Sequence, residues 1–196
     1  MFLKAHLRLI DFSDMNKAFF LDRDGTINVD YNYVHRPEEW TWCDNAIKAL
    51  QWIQDHNYKI IVVTNQSGIA RGKYTEEQVQ SLHKWVDKQL TEQNISIDGW
   101  YYAPHHPTHD PSKKYAPEDR KPGTGMFKKA AQKYNIDFSK SYMAGDKITD
   151  LKPALELGMV PFFIRSRHEA SQDGQWLEKH NLARHNTLFD AIQTIC

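Results

Sequence analysis

Phe19-Phe20-Leu21-Asp22-Arg23-Asp24-Gly25-Thr26 places two carboxylates two residues apart, where an apolar strand gives way to a turn. A short apolar run closed by glycine reads as a buried strand followed by a tight loop. Taken alone, Asp22-x-Asp24 is equally an Asx turn that ends a strand. It does not fit a calcium loop, because Gly25 follows the second aspartate at once and no later glutamate completes the spacing.

Outward from this loop, apolar runs recur at Ala18 to Leu21, Ile60 to Thr64, Gly99 to Ala103, Ser141 to Gly145 and Val160 to Ile164. Between them lie helical stripes: Ala46, Ile47, Leu50 and Ile53; Val79, Leu82, Val86 and Leu90; Met126, Phe127, Ala130, Ala131 and Tyr134. Thr75 with Gln78 three residues on forms a capping box for the second stripe. Thr149 is the expected cap of a fourth helix, with Pro153 near its first turn and Gly158 at its exit. Strands alternating with helices predict an α/β fold, a Rossmann-like, mostly parallel sheet with helices on both faces. Ligands of such sheets gather at the carboxyl ends of strands, where Asp22, Thr64 and Asp146 all fall. Residues 165 to 186 are polar and receive no assignment, while Leu188, Ala191 and Ile192 anchor a terminal helix.

The chain has 196 residues, 40% of them hydrophobic and 26% charged, which suits one ordinary globular domain. The formal charge is zero, so no global field draws it to nucleic acid or an anionic membrane, and neither partner is expected. No signal peptide or membrane-spanning run is visible, which predicts a cytoplasmic protein. Cys43 and Cys196 do not suggest a disulfide framework. Residues 1–14 read as an N-terminal extension and 15–196 as a single domain. Within it, the stretch of about 103–122, rich in Pro, His, Asp and Lys, reads as a structured loop near the strand ends. His105, His106 and His109, with Asp110 and Asp119 nearby, suit a metal site or a turn surface. Trp40, Trp42 and Trp52 suit the core or its rim, and Tyr31 and Tyr33 either a substrate-facing flap or plain surface.

The chemistry of these residues converges on phosphate. A carboxylate can attack phosphorus to give an acyl phosphate while a second carboxyl protonates the leaving oxygen, which suits Asp22 and Asp24. Asp146, after Gly145, is a hard oxygen ligand for magnesium, with Asp150 in support. Thr64-Asn65-Gln66-Ser67-Gly68 gathers hydroxyl, amide and backbone donors at a strand end, and Arg71 and Lys73 add charge. Lys121 can bridge nucleophile and phosphate as a point charge, and Arg120 suits planar recognition of a phosphate or sugar substituent.

The ordered set Leu21-Asp22-Arg23-Asp24-Gly25-Thr26, Thr64-Asn65, Lys121 and Gly145-Asp146-Lys147-Ile148-Thr149-Asp150 resembles the haloacid dehalogenase superfamily of aspartate-dependent phosphatases. The resemblance covers nearly the whole chain after Met15. It implies a domain with a minimal cap, a phospho-aspartate at Asp22, acid/base work by Asp24, and magnesium held by Asp22, the Asp24 carbonyl and Asp146. Thr64, Asn65 and Lys121 would surround the phosphate. Tyr33-Val34-His35, Thr64 to Gly72 and Arg120-Lys121-Pro122 narrow the resemblance to the histidinol-phosphate phosphatase-like group. Removal of the C7 phosphate from a heptose 1,7-bisphosphate is then the expected reaction, with Arg71 and Arg120 on the rest of a small phosphorylated sugar. Histidinol phosphate, a nucleic-acid 3′-phosphate, or sugar-phosphate binding without catalysis are the alternatives. The group's zinc ligands, Cys-x-His and Cys-x-Cys, align here with Ala103-x-His105 and Pro117-x-Asp119, so structural zinc is not expected. A monomer is the favoured state.

Overall fold

A computed structural model of the chain describes residues 15–109, 115–167 and 173–195. The extension at 1–14, the middle of the 103–122 loop with Asp110, and Cys196 lie outside the described residues. Six parallel strands form one sheet: β1 (Ala18–Leu21), β2 (Lys59–Asn65), β3 (Gly99–Ala103), β4 (Tyr142–Gly145), β5 (Val160–Ile164) and β6 (Arg184–His185). Their order is β3-β2-β1-β4-β5-β6. The order reverses between β1 and β4, which opens a crevice at their carboxyl ends. Asp22 follows β1 and Asp146 follows β4, so both flank that crevice. The register aligns Leu21 with Ala144, and Asp22 N–H donates to the Ala144 carbonyl at 2.8 Å.

Alternation along β1 divides the core. Phe19 and Leu21 join the layer under α1 (Ala46–Asp55), α2 (Glu76–Thr91) and α6 (Leu188–Ile192). Ala18 and Phe20 join the layer under α3 (Gly125–Tyr134) and α4 (Ile148–Leu157). Phe19, Tyr142 and Phe162 stack across three strands at 4.7 and 5.3 Å between ring centres. Burial of a ring contributes on the order of 1.5–3 kcal/mol, and the stack ties β1, β4 and β5 side by side. Trp40 is buried, and Trp42 and Trp52 pack on the core's edge, as expected.

The Thr75–Gln78 capping box forms as expected, with both reciprocal hydrogen bonds present. The expected Thr149 cap does not form. The cap of α4 is Lys147, whose N–H donates to Asp150 Oδ2 at 2.9 Å, because a carboxylate at the third helical position satisfies that donor better than a threonine within the turn. Pro153 therefore sits inside α4, in its second turn, while Gly158 ends the helix at a positive φ of 79°. The polar stretch 165–186 contains β6 and a short α5 (Asp173–Lys179).

Candidate active site

The loop after β1 is closed by backbone hydrogen bonds from Gly25 to the Asn28 carbonyl and from Ile27 to the Arg23 carbonyl, at 2.7 and 2.9 Å. Gly25 has φ +88°, and a β-carbon there would stand 2.4 Å from Asp146 Oδ2. Glycine is thus required twice, by conformation and by the approach of the second carboxylate. Gly145 plays the matching part on β4, where a β-carbon would meet Asp150 Cβ at 2.4 Å.

These close approaches bring Asp22, Asp146 and Asp150 together, each offering a ligand oxygen within 4.8 Å of the others, and all three are buried. Lys121, only 2% exposed, lies beside two of them. Its Nζ stands 2.7 Å from Asp22 Oδ1 and 2.8 Å from Asp150 Oδ1, and donates to the Val63 carbonyl. Burial pushes the Asp22 carboxyl up to about 6; Lys121 opposes this and Asp150 adds to it. Burial likewise raises Asp146 to about 7, opposed by Lys147 and assisted by Asp22 and Asp150. Burial would lower the Lys121 ammonium, but Asp150 and Asp22 outweigh it and hold Lys121 above its usual value.

Three buried carboxylates against one buried lysine leave a surplus of negative charge. Among the described residues neither oxygen of Asp146 meets a hydrogen-bond partner of regular geometry, although Lys147 Nζ lies 3.3 Å from Oδ1 and Ser166 acts on the carboxyl to lower it. Orphaned buried carboxylate oxygens that crowd other carboxylates are the donor set of a hard divalent cation. The residues present therefore fit a metal. Asp150 completes the side-chain set, whereas the Asp24 side chain points elsewhere.

Asp24 accepts from Arg23 Nε at 3.1 Å and Nη2 at 2.9 Å, from Asn28 Nδ2 at 3.0 Å and from Gln66 Nε2 at 2.9 Å. Burial alone would raise its carboxyl, but Arg23 and these hydrogen bonds hold it below the usual range. Arg23 is fully buried and also donates to the Val34 carbonyl at 2.6 Å. Behind it stands His83, Nε2 3.4 Å from Nη1, held neutral by burial and by Arg23.

A cavity of about 440 Å³ opens over these groups, lined among others by Asp22, Asp24, Thr64, Arg120, Lys121 and Lys147. Thr64 Oγ1 faces it and accepts from Gln66 Nε2 at 2.9 Å, while Tyr74 donates to Gln66 Oε1 at 2.6 Å. Asn65 also lines the cavity, but its amide is committed to the Lys121 backbone: Nδ2 donates to the Lys121 carbonyl and Oδ1 accepts from its N–H, both at 3.0 Å. Arg120 is partly buried on the wall and donates to the His105 carbonyl at 3.2 Å; burial and then Arg71 push it down. Arg71 is exposed outside the lining, 2.9 Å from His106 Nε2. Tyr33 lines the cavity, and the exposed Tyr31 ring lies under Arg167.

Gln66, Tyr74, Lys147 and the Arg23–His83 pair were not singled out as site residues from sequence. Gln66 lay within the Thr64–Gly68 run, and the Asp146-to-Asp150 spacing already signalled a second carboxylate. Nothing in the local pattern of Tyr74 or His83 announces its partner. The zinc ligand set of the 103–122 loop does not fit: Ala103 and Pro117 carry no donor, and Asp119 Oδ2 is 2.5 Å from Lys129 Nζ.

A family model described as polynucleotide kinase 3 phosphatase matches residues 17–168. A D-glycero-beta-D-manno-heptose-1,7-bisphosphate 7-phosphatase of Haemophilus ducreyi is 45% identical over 178 residues, 90% of this chain and 96% of its own. A protein of the same name from Yersinia pestis is 45% identical over 160 residues, 81% of this chain and 85% of its own. Among solved structures, the D,D-heptose 1.7-bisphosphate phosphatase from B. bronchiseptica, complexed with magnesium and phosphate, superposes with a TM-score of 0.74 at 25% identity, covering 91% of this chain and 97% of that one. A HAD-like phosphatase from Mesorhizobium loti superposes with a TM-score of 0.71 at 30% identity, covering 76% and 73%.

Proposed function

The chain belongs to the polynucleotide kinase 3 phosphatase family of haloacid dehalogenase-like phosphatases, and from that membership we propose that it removes the C7 phosphate of D-glycero-D-manno-heptose 1,7-bisphosphate. The observation that carries the substrate is the 45% identity to a heptose bisphosphate phosphatase along 96% of that relative. We take residues 15–196 as one catalytic domain with a substrate loop at 103–122 and 1–14 as an extension, acting as a monomer.

Asp22 attacks phosphorus as the bond from phosphorus to the C7 oxygen breaks, and a proton from Asp24 goes to that oxygen. Asp24, now ionised, then takes a proton from water as the water attacks the aspartyl phosphate, which frees Asp22 and inorganic phosphate. Lys121 holds Asp22 in place and offers its charge to the phosphoryl oxygens, assisted by the Thr64 hydroxyl. Asn65 serves this step through Lys121, by clamping its backbone. The four donors around Asp24 suit the base half of the cycle. In the acid half one oxygen carries a proton, so one donor gives way, and turning the neutral Asn28 or Gln66 amide costs less than displacing a buried guanidinium.

Magnesium, held by Asp22, Asp146 and the Asp24 carbonyl with Asp150 beside them, would supply charge that keeps Asp22 ionised and neutralises the transferring group. Arg120, on the cavity wall, contacts the distal phosphate or sugar hydroxyls, with Arg71 further out. We further assign the enzyme to heptose supply for lipopolysaccharide in the cytoplasm. No helix among the described residues is long and apolar enough to cross a membrane.

The test is phosphate release with magnesium from three compounds: heptose 1,7-bisphosphate, histidinol phosphate and a 3′-phosphorylated oligonucleotide. Preference for the sugar by kcat/KM is the expected result. Preference for the oligonucleotide would overturn the substrate assignment.

A further inference from the structure

Arg120 is partly buried between two hollows. It forms part of the wall between the catalytic cavity and a larger hollow of about 730 Å³ lined by His105, Tyr115, Pro117 and Pro122. With space on both sides, packing alone does not fix the guanidinium, and among the described residues its hydrogen bond is to the His105 carbonyl. The position of Arg120 therefore depends on whatever holds the loop from 103 to 122.

The two ends of that loop are anchored on the β2 side. Gln66 N–H donates to the Ala103 carbonyl and Ala70 N–H to the Pro104 carbonyl, at 2.9 and 3.2 Å, and Asn65 clamps Lys121. The body of the loop is anchored elsewhere, on the first turn of α2. Tyr115 donates its hydroxyl to Glu76 Oε1, and Tyr102, at the end of β3, donates to Glu76 Oε2 at 3.2 Å. Gln80, one turn along α2, donates to the Tyr102 hydroxyl at 2.8 Å and so orients it toward Glu76. The Tyr115 ring lies nearly parallel to His105, 12° between planes and 6.0 Å between centres. A continuous line thus runs from Glu76 through Tyr115 and His105 to Arg120.

We propose that Glu76, Tyr102 and Tyr115 form a brace whose task is to position Arg120 against the part of the substrate beyond the reacting phosphate. Glu76, Tyr102 and Tyr115 are positioning residues; none lines the catalytic cavity. Hydrogen bonds to a carboxylate are stronger than neutral ones, so one glutamate accepting two phenols is an adequate cross-link for a loop without the cysteines of the group's zinc set. The inference rests on the assignment of Arg120 to the distal phosphate, the group that heptose 7-phosphate lacks.

Two measurements on Tyr115→Phe, which deletes one oxygen and keeps the ring, test the brace. The first is amide hydrogen exchange across residues 115–123, which is expected to quicken in the variant and is independent of any substrate. The second compares heptose 1,7-bisphosphate with heptose 7-phosphate: KM should rise about three- to tenfold for the former and stay level for the latter, with kcat within about twofold for both. A merely structural role would lower turnover on both sugars alike. Glu76→Gln, which can no longer bind both phenols as a carboxylate, should move the same way and serves if Tyr115→Phe fails to fold. Unchanged exchange, or equal effects on the two sugars, would overturn the brace. Arg120→Ala is the control for the assignment beneath it: loss of discrimination between the sugars supports that assignment, and retained discrimination removes it and the brace's purpose together.

Discussion

Replacing Asp146 with asparagine should make the metal-free protein more stable while abolishing its response to magnesium. The Asp146 carboxyl is raised from 3.8 to about 7, chiefly by burial and then by Asp22 and Asp150 against the opposing Lys147. A folded-state value above the unfolded one means that the neutral form is favoured by folding. Its stability is fully present below about pH 4 and is lost as pH rises to about 7. Three pH units correspond to about 4 kcal/mol of destabilisation above pH 7 in the absence of a cation. The asparagine removes this cost but buries an amide with no regular hydrogen-bond partner, a loss of about 1–3 kcal/mol. The net gain is then about 1–3 kcal/mol, or on the order of 2–12 °C in Tm for a domain of this size. Thermal unfolding with a chelator at pH 8 should show the variant above the wild type, and the gap should close as pH falls and invert near pH 4, where only the cost of the buried amide remains. Addition of magnesium should reverse the order, because only the wild type retains the full ligand set. A variant that is less stable than the wild type with the chelator at pH 8, or that gains as much from magnesium, would show that Asp146 is neither a buried surplus charge nor a metal ligand.

Two further substitutions should behave differently. Lys121→Met leaves Asp22 and Asp150 buried without their shared cation, and should cost about 3–5 kcal/mol in urea unfolding with a chelator, together with at least about a hundredfold in kcat. A stability loss near zero would show that the carboxylates are not held as charges by this lysine. Gly25→Ala, at φ +88° and 2.4 Å from an Asp146 oxygen, should weaken magnesium affinity measured by calorimetry as well as stability, whereas an alanine tolerated with unchanged affinity would contradict the close approach described.

The strands were legible because a parallel sheet covered on both faces demands continuous apolar runs, and β3 and β5 coincide with the runs read from sequence. The two-residue β6, Arg184–His185, has no such run, since an edge strand that short carries no periodicity. The cap of α4 was misplaced because threonine is the better cap by propensity, yet Asp150 reaches back to the Lys147 N–H and fixes the start two residues earlier. At the site, Asp22 and Asp146 are legible as carboxylates at strand ends, and Lys121 as a cation in the loop just before α3. The orientation of Asn65 could not, because its partner lies 56 positions away at Lys121 and only the folded chain shows that the amide grips backbone. Arg23 carries no role of its own in the sequence pattern, yet it is fully buried and satisfied by Asp24, the Val34 carbonyl and His83, contacts that span three segments.

The mechanism turns on Asp22 carrying the phosphoryl group. Rapid acid quench of enzyme mixed with magnesium and heptose 1,7-bisphosphate labelled in the C7 phosphate, followed by peptide mapping, tests it directly. The label should appear transiently on the peptide that holds Asp22 and be absent from Asp22→Asn, which should retain its fold and lose turnover. Turnover by Asp22→Asn at the wild-type rate, or label accumulating on a peptide without residue 22, would rule out Asp22 as the nucleophile.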